Sequence, residues 1–314
     1  MRLEIFEPII MNHPHVTIII LNWNGKDNTI ECIESVEKID YPRYDILLID
    51  NGSDDDSVHT FRSLYKEHTR IKLIENRKNL GFAEGSNIGI REAIKNKSDY
   101  ILLLNNDTVV KEDFLGKIVD VGKTNKKYGI IGPKIYFYGK DNIIYSAGGG
   151  VIKRLGQPLH IGLFKEDKGQ YNREGKTGFI TGCALLIKRE VVEKIGLIDE
   201  NYFLYFEDLD WNLNAQRKGY LSVFVPDSII WHKASSSSGY KSPNYYYYMT
   251  RNRILFVRKN YSLFSLLFLF LPYFIIYRYL WTIIKLVFNK RWEHIKAVNR
   301  GVWWHVRRDE GGFS

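Results

Sequence analysis

Carboxylates in two separate stretches of the sequence could carry out chemistry together. Asp107 stands in the run LLLNNDT, after an apolar segment, and the amides of Asn105 and Asn106 precede it. Hard divalent cations such as Mg²⁺ and Mn²⁺ prefer oxygen ligands, and often bind through one or two carboxylates and the phosphates of a substrate. Asp107 is therefore a candidate metal ligand. The alternative is that it caps a helix starting near Lys111.

A second acidic group lies in the run YFLYFEDLDW, where Glu207, Asp208 and Asp210 open a predicted helix. The helix dipole stabilises acids in a first turn, so a structural explanation is open. Aromatic residues flank these acids, and burial among apolar rings raises the pKa of a carboxyl toward the range of a general base. Glu207 and Asp208 are therefore candidate catalytic residues.

Single basic and imidazole side chains add three further candidates. His232 follows the last predicted strand, in the run IIWHKA. A lone histidine is more often structural than a ligand, but imidazole suits metals such as Mn²⁺ and could complete a site begun by Asp107. Arginines suit diphosphate recognition, so Arg251 or Arg253 could hold the pyrophosphate of a donor or of a lipid acceptor. Equally, they could meet lipid headgroups.

The first 110 residues alternate between apolar runs and amphipathic stretches. The predicted strands are 16–21, 44–49, 71–75 and 100–104, and the predicted helices are 28–38, 58–68 and 84–97. Apolar strands separated by helices indicate βαβ units and a doubly wound, mostly parallel sheet. Ligands bind beyond the carboxyl ends of such strands, so the loops that follow the four strands should line one crevice.

Two of these crevice loops carry more polar groups than a plain turn needs. Asn22, Trp23 and Asn24 follow the first strand, and Asp50 follows the second. Turn and capping chemistry explains either loop alone. Together they are more specific, because an aromatic ring can stack on a nucleobase and a carboxylate can accept from a ring N–H or a ribose hydroxyl. The two loops predict a nucleotide site.

The later chain changes character. Residues 128–182 predict an irregular, mixed β region, followed by helices at 189–195 and 207–218 and two short strands at 221–225 and 228–231. The serine-rich run 235–244 has the composition of a flexible connector or lid. Two cysteines without zinc-type spacing suit a reducing compartment.

The net charge of +9 is concentrated in the last quarter. Residues 1–240 contain 32 basic and 33 acidic side chains, whereas residues 241–314 contain 13 and 3. Nucleic-acid binding is excluded, because the globular part has no net positive charge to meet phosphates. Basic flanks around an apolar, aromatic stretch instead predict contact with an anionic membrane surface.

Residues 261–277 form a stretch of 17 residues without a charge. This is the lower limit of the roughly 17–25 residues that span a membrane as a helix. Pro272 interrupts it, and Arg278 and Lys285 follow closely. Three interpretations are open: a helix or broken hairpin lying in the membrane interface, a true span, or a buried helical hairpin that packs on the catalytic domain or on a second subunit. The last would allow a homo-oligomer.

Seven motifs in order resemble the family 2 glycosyltransferases of the GT-A fold. They are VTIIILNWNG, YDILLIDNGSDDDS, NLGFAEGSNIG, ILLLNNDT, GFITGCALLIKRE, FEDLDW and WH. The resemblance covers roughly residues 16–233, about seventy per cent of the chain, and is greatest to the rhamnosyltransferase-like members of bacteria and archaea that build surface polysaccharides. The fold class it implies is α/β, with a Rossmann-like doubly wound GT-A domain, to which the basic, apolar last quarter of the sequence adds a C-terminal helical, membrane-associated extension.

The resemblance also implies roles for individual residues. Trp23, Asn24 and Asp50 match the contacts to nucleobase and ribose, while Gly81, Phe82 and Asn87 match the donor-binding NxGFxxxxN segment. Asn105, Asn106 and Asp107 occupy the DxD position, with asparagine in place of the first carboxylate. Asp208 matches the acidic base of the ED motif, and His232 matches a metal-binding histidine.

The implied reaction is an inverting transfer that depends on Mn²⁺ or Mg²⁺. A sugar would move from a nucleoside diphosphate of UDP or dTDP type to a lipid-linked or glycan acceptor. Two rival functions are a nucleotidyltransferase and a catalytically silent nucleotide-sugar-binding scaffold on the membrane. A nucleotidyltransferase would need a Gly- and Arg/Lys-rich loop after the first strand, which this sequence lacks. The silent scaffold is favoured only by the asparagine at the DxD position.

The sequence is thus expected to form four regions. These are an N-terminal extension (1–14), the catalytic domain (15–235), a lid or connector (236–260) and an apolar, basic helical region (261–314). The N-terminus lacks the apolar core of a signal peptide. The expected location is the cytoplasmic face of the cell membrane, as a peripheral or monotopic protein.

Overall fold

The computed structural model describes residues 13–140, 142–152, 155–234 and 241–309. The first half alternates strands and helices, as predicted. Its elements are β1 (Val16–Asn22), α1 (Lys26–Val36), β2 (Tyr44–Asp50), α2 (Ser57–Tyr65), β3 (Ile71–Glu75), α3 (Gly81–Lys95) and β4 (Tyr100–Asn105). The four strands are parallel, in the order β3-β2-β1-β4. Their Ile, Leu and Val content suits strands that are covered on both faces.

The second half extends the same sheet with strands of very different length, from three residues to twelve. Its elements are β5 (Thr108–Val110), α4 (Phe114–Thr124), β6 (Tyr128–Phe137), β7 (Ile144–Ser146), β8 (Gly149–Ile152), β9 (Gln157–His160), β10 (Gly175–Thr177), β11 (Ala184–Lys188), α5 (Arg189–Ile195), α6 (Glu207–Arg217) and β12 (Leu221–His232). Beyond β4 the order is β11, β6, β12 and β10, and β11 runs antiparallel to both of its neighbours. Strands β8 and β9 form a separate hairpin.

Two apolar cores lie on opposite faces of the sheet. Alternate residues of β1 enter different cores: Ile18 and Ile20 pack with Phe114 of α4, whereas Ile19 packs with Ile90 of α3. This alternation follows from the two-residue period of a strand. The sheet is therefore doubly wound, and its carboxyl ends stay open to carry the site.

The prediction of two short strands at 221–225 and 228–231 was wrong in one respect. The structure has a single strand, β12, that pairs with β6 along both parts and shifts register between Val225 and Ile229. Pro226 cannot donate to a ladder, and such a bulge accommodates it. The bend brings the end of β12 alongside β5, where His232 pairs with Thr108.

The C-terminal region is helical. Helix α7 (Pro243–Asn260) starts at Ser242, whose hydroxyl accepts from the backbone N–H of Tyr245 at 3.2 Å. It packs along the last helix, Trp292–Asp309. The first part of the predicted lid, residues 235–240, lies outside the described residues, as do residues 1–12 of the predicted extension.

Between these two helices lies one continuous helix, Ser265–Phe288, which we call the apolar helix. It is long and apolar enough to cross a membrane, with a mean hydropathy of 1.7 over an 18-residue stretch. Within that stretch, 11% of the residues are buried. Pro272 does not end it. The turns on either side of Leu271–Tyr273 are wide π-type turns, which accommodate the missing N–H of a proline.

Candidate active site

The carboxyl ends of β1, β2 and β4 meet at one edge of the sheet. Asn22 at the end of β1 pairs with Asp50 at the end of β2, and Leu21 pairs with Asn105 at the end of β4. The polar residues predicted to share one crevice are therefore neighbours in the structure. Ligands of doubly wound sheets bind at this edge.

Asn22 and Asn106 form the floor of the crevice. The side-chain amide of Asn22, which is fully buried, donates to Asp50 Oδ2 at 2.8 Å, and its oxygen accepts from Thr29 Oγ1 at 2.8 Å. Asn106 donates to the same threonine hydroxyl at 2.9 Å. These two amides tie the loops together beneath the site. In this geometry both side chains position the loops, and their predicted contact with a donor nucleotide stays a prediction.

Asp50, Trp23 and Asn24 lie above this floor. Asp50 is buried and its carboxylate also accepts from the backbone N–H of Ser53 at 2.9 Å. Asn24 has a φ of 51° and receives a hydrogen bond from the backbone N–H of Asp54 at 2.9 Å. The ring of Trp23 is 42% exposed at the rim. It is accessible to a planar ligand such as a nucleobase.

The NxGFxxxxN segment contributes one wall. Gly81 has a φ of +80°, and a Cβ there would lie 2.6 Å from the ring and the carbonyl of Phe203. The backbone N–H of Phe82 donates to that carbonyl at 2.6 Å. Asn87 is fully buried, and its side-chain amide accepts from the backbone N–H of Ile198 and donates to the carbonyl of the same residue. The segment therefore anchors the loop before α6, and Asn87 is a brace rather than a surface ligand.

Asp107 and His232 meet where β5 pairs with the end of β12. Oδ1 of Asp107 lies 3.0 Å from Nε2 of His232, and both side chains are buried. Asp107 does not cap α4, because that helix begins seven residues later, after Asp113. Asn105, the first residue of the DxD position, lies at the end of β4 with its side chain partly buried.

This pair fits a divalent cation. The 3.0 Å between Oδ1 of Asp107 and Nε2 of His232 is the distance of a direct ion pair, and it also equals the separation of two donor atoms at right angles on an octahedral ion with bonds of about 2.1 Å. Nδ1 of His232 is buried without a hydrogen-bond partner among the described residues, whereas Nε2 faces the carboxylate of Asp107. No group of three or more His, Cys, Asp or Glu residues able to hold a metal occurs among the described residues. Water and substrate phosphates would have to fill the other positions.

Asp208 lies in the first turn of α6. Its Oδ2 accepts from the backbone N–H of Gly182 at 2.8 Å and lies 3.4 Å from Thr181 Oγ1, while Oδ1 accepts from the N–H of Leu209 at 2.7 Å. Burial raises the pKa of Asp208, although these hydrogen bonds oppose the shift. An oriented carboxylate with a raised pKa is a suitable general base.

Glu207 is the more buried of the two adjacent acids. Its side chain is 5% exposed, and Oε2 has no hydrogen-bond partner among the residues that the structure describes. Burial and the charge of Asp208 together raise its pKa well above the ordinary value. Asp210 points away from both, because its carboxylate pairs with Lys259 at 2.7 Å.

The segment Thr181–Cys183 joins the two acidic centres along one wall. Gly182 contacts Asp208, and the thiol of Cys183 interacts with the imidazole of His232. Burial raises the pKa of the Cys183 thiol, and the charges of Asp107 and Asp208 add to that shift. Burial and the thiol of Cys183 raise the pKa of Tyr145, and the same two aspartates contribute to that shift as well. The two aspartates therefore share Cys183 and Tyr145 as neighbours.

Sequence analysis did not identify Gly182, Cys183 or Tyr145 as site residues. Tyr145 comes from the irregular region and packs edge-on against His232, with ring centroids 4.6 Å apart. The motif GFITGC could have indicated this wall. A Cβ built on its second glycine, Gly182, would lie 3.4 Å from both Asp208 and Phe82. A larger side chain there would crowd the base.

The comparison with family models decides the class of the protein. The model described as Glycosyl transferase family 2 matches residues 17–196, more than half of the chain. The chain belongs to glycosyltransferase family 2. The match contains the crevice loops, the Asp107 loop and the Thr181–Cys183 wall.

Two curated relatives of this glycosyltransferase match about two thirds of it. dTDP-rhamnosyl transferase RfbF of Shigella flexneri is 25% identical over 228 residues, which cover 68% of this chain and 71% of that protein. N-acetylglucosaminyl-diphospho-decaprenol L-rhamnosyltransferase of Mycobacterium tuberculosis is 23% identical over 214 residues, covering 62% and 68%. The chain also spans 25% of the length of a longer relative from Sinorhizobium fredii.

The solved structures confirm the fold. Mannosyltransferase PcManGT from Pyrobaculum calidifontis, in complex with GDP-Man and Mn²⁺, superposes with a TM-score of 0.57 at 15% identity. The superposition covers 97% of this glycosyltransferase and 77% of that chain. The mixed α/β architecture with its mostly parallel central strands is the predicted GT-A fold.

Helix α7 braces residues 202–206, which we call the catalytic loop because they lead into the candidate base Asp208. Phe203, Tyr205 and Phe206 all have positive φ angles, between 61° and 75°, just before Asp208. The amide of Asn252, which is fully buried, donates to the carbonyls of this loop at 2.7–2.8 Å. Backbone strain of this kind persists only where surrounding contacts enforce it, and it clusters at functional sites.

Arg251 also links α7 to the backbone at the start of this loop. Its guanidinium donates to the carbonyls of Asn201 and Tyr202 at 2.6 Å and lies 5.0 Å from the ring centroid of Tyr248. The side chain is 7% exposed. The guanidinium of Arg251 therefore supports the loop backbone, and its predicted contact with a donor pyrophosphate stays a prediction.

Proposed function

We propose that the chain is an inverting, metal-dependent glycosyltransferase that transfers a sugar from a nucleoside diphosphate to a lipid-linked or polysaccharide acceptor. The single observation that carries this proposal is the wall Thr181–Cys183, which has the carboxylate of Asp208 at one end and the Asp107–His232 pair at the other. A base and a cation site on one cleft match the needs of sugar transfer from a diphosphate.

Asp208 is the proposed general base. It would accept the proton of an acceptor hydroxyl as that oxygen attacks the anomeric carbon of the donor sugar. The N–H groups of Gly182 and Leu209 fix the orientation of the carboxylate, and the partly buried ring of Phe82 beside it limits access of water. Attack on the face opposite the leaving diphosphate inverts the configuration of the sugar.

Asp107 and His232 are the proposed protein ligands of the cation. When bound, Mn²⁺ or Mg²⁺ would neutralise the negative charge that develops on the leaving diphosphate. Trp23 and Asp50 are the proposed contacts to the nucleobase and ribose, for a donor of UDP or dTDP type. The relative from Shigella flexneri supports the dTDP type, because its name specifies a dTDP-rhamnosyl donor.

The acceptor and location are proposed from the relatives and the apolar helix. The Mycobacterium tuberculosis relative is named for a diphospho-decaprenol acceptor, which is a membrane lipid. The apolar helix presents a large apolar surface beside the catalytic domain. We therefore propose that the enzyme works at the cytoplasmic face of the cell membrane, in the synthesis of a surface glycan.

A donor panel tests the proposed class. Thermal unfolding is measured with UDP-, dTDP- and GDP-sugars, each with and without Mn²⁺. We expect one donor to stabilise the protein only with the metal, by about 2.7 kcal/mol at 100 times its Kd. A protein that responds to every donor equally, or to none, would contradict the proposal. A stabilising donor that is never transferred would instead support a silent scaffold.

A further inference from the structure

Arg253 is a buried cation without an acidic partner. It lies in the middle of α7 with 1% of its surface exposed, and among the described residues it forms no ion pair. Its Nη1 atom reaches only the carbonyl of Leu155 and the side-chain oxygen of Gln157, both at 3.4 Å. Burying a charge without a counter-ion is expensive, so this arginine would be stabilised by an anion that the described residues do not supply.

A second arginine faces the same cavity. Arg278 of the apolar helix lines a cavity of about 40 Å³ together with Arg253, Thr250 and Thr282. One water needs roughly 10–15 Å³, so this cavity has room for a group of several oxygens such as a phosphate. Burial, with the neighbouring charge of Arg278, lowers the pKa of Arg253 to about 9, so Arg253 remains cationic at neutral pH. Two guanidinium groups with hydroxyls beside them are suited to phosphate oxygens.

The cavity lies between the catalytic loop and the apolar surface. Tyr245 lines it, and the ring of Tyr245 packs edge-on against that of Tyr205, three residues before Asp208, with centroids 5.6 Å apart. On the other side, Arg278 comes from a helix whose neighbouring residues Ile275 and Ile276 are 49% and 57% exposed. A ligand with a phosphate head and an apolar tail would meet complementary groups in both places.

We propose that Arg253 and Arg278 bind the phosphate or diphosphate group of the lipid that carries the acceptor. This inference rests on the proposed function and specifies its acceptor as a phosphate-linked membrane lipid. The tail lies along the exposed face of the apolar helix, and the head group enters beside the loop that holds the base. Free phosphate has the same head-group chemistry, and the experiment separates the two sources.

Binding of farnesyl diphosphate tests the proposal with the full chain in detergent and EDTA. The variants are Arg253→Lys, which keeps the charge but loses the planar fork, and Arg278→Gln at an exposed position. The control is Lys285→Gln, which removes one charge two helical turns from Arg278. We expect the first two to weaken binding at least about tenfold, and the control to change it less than twofold. Equal weakening by all three, or by none, would overturn the proposal.

The source of the phosphate is tested in the same assay. Inorganic pyrophosphate and vesicles of phosphatidylglycerol replace farnesyl diphosphate. We expect pyrophosphate to bind at least tenfold more weakly, and binding to phosphatidylglycerol vesicles to be insensitive to Arg278→Gln. Pyrophosphate that binds as tightly as the lipid would show a site for the free anion and would overturn the lipid assignment.

Transfer kinetics separate failure of this inference from failure of the proposed function. Two acceptors of the same sugar are compared, one linked to a lipid diphosphate and one an alkyl glycoside without phosphate. Arg278→Gln should raise KM at least tenfold for the first and leave KM for the second unchanged. A wild-type enzyme that uses neither acceptor would reject the proposed function. A variant with unchanged KM for both would reject the inference alone.

Discussion

Glu207 and Asp208 are adjacent acids in one buried turn, and their environments differ. Asp208 receives backbone hydrogen bonds from Gly182 and Leu209, whereas Oε2 of Glu207 has no partner among the described residues. Burial raises the pKa of both. The better-solvated and better-oriented Asp208 is the one placed to exchange a proton, and Glu207 is the one whose charge is costly to the fold.

The substitution Glu207→Gln should stabilise the protein at neutral pH. A carboxyl whose folded pKa exceeds its unfolded pKa binds protons more tightly when folded. Its destabilising effect therefore starts as pH rises through the unfolded pKa, near 4.3, and is complete above the folded pKa. We expect a higher Tm than wild type at pH 7 and an equal Tm near pH 4. A lower Tm at pH 7, or the same gain at both pH values, would contradict the raised pKa.

At this scale the sequence predicted residue types better than their partners. Asp107, Asp208 and His232 were singled out by motif, and the structure brings Asp107 and His232 together. Their common neighbours are Cys183, which directly precedes β11, and Tyr145, which lies on β7, far away in sequence. Their contact depends on the order of strands beyond β4, which periodicity does not specify.

Among the elements, the start of α3 depends on a glycine. Gly81→Ala would place a Cβ 2.6 Å from Phe203 at a φ of +80°. We expect a loss of at least about 1–3 kcal/mol in the free energy of unfolding, together with weaker donor binding, because Phe203 belongs to the catalytic loop. Urea denaturation measures the first quantity and donor titration the second.

Gly116→Ala in α4 is the matched control. A Cβ there meets its nearest neighbour, on Tyr41, at 4.0 Å, and the helical glycine has no positive φ. Alanine is expected to stabilise that helix by up to about 1 kcal/mol. If both substitutions changed stability equally, the tight contact between α3 and the catalytic loop would not be the cause.

The sequence predicted the elements of the first half closely and those of the second half less well. Apolar strands and amphipathic helices have clear periods up to β4, so β1 to β4 lie where they were expected. Two strands were predicted where β12 lies, but pairing with β6 keeps it as one strand across Pro226. Tertiary pairing outweighs local preference there. The same holds for Pro272, which the apolar helix accommodates.

For the whole molecule, the apolar helix is the main feature that the catalytic fold does not explain. Three phenylalanines on or beside it are 64–83% exposed, namely Phe264, Phe268 and Phe288. Trp292, in the helix that follows, is 58% exposed. The buried-hairpin interpretation therefore does not hold within this chain, although a second subunit or a membrane could cover the surface. Large exposed apolar patches mark such interfaces.

Polar substitution of this surface should release the protein from membranes. We expect the double variant Phe268→Asp with Ile275→Asp to reduce sedimentation with anionic vesicles at least tenfold, without loss of transfer to a soluble acceptor. Leu64→Asp is the control, because Leu64 is 53% exposed on α2 of the catalytic domain. A double variant that stays bound to vesicles but becomes monomeric would indicate a subunit interface instead.

Overall charge and composition predicted this organisation in outline. The basic, apolar last quarter is the helical region, and the balanced remainder is the GT-A domain. Composition could not predict that α7 turns back to brace the catalytic loop through Asn252. That contact joins residues about fifty positions apart and depends on packing of complete helices.

Donor binding and transfer in two single variants test the central claim most directly. The claim is that Asp107 and Asp208 act on one diphospho-sugar in one cleft. We expect Asp208→Asn to bind the donor with Mn²⁺ as tightly as wild type but to lose about 10²–10⁴ in transfer rate. Asp107→Asn should lose the part of donor binding that depends on Mn²⁺. Wild-type turnover by Asp208→Asn, or unchanged metal-dependent binding by Asp107→Asn, would contradict the account.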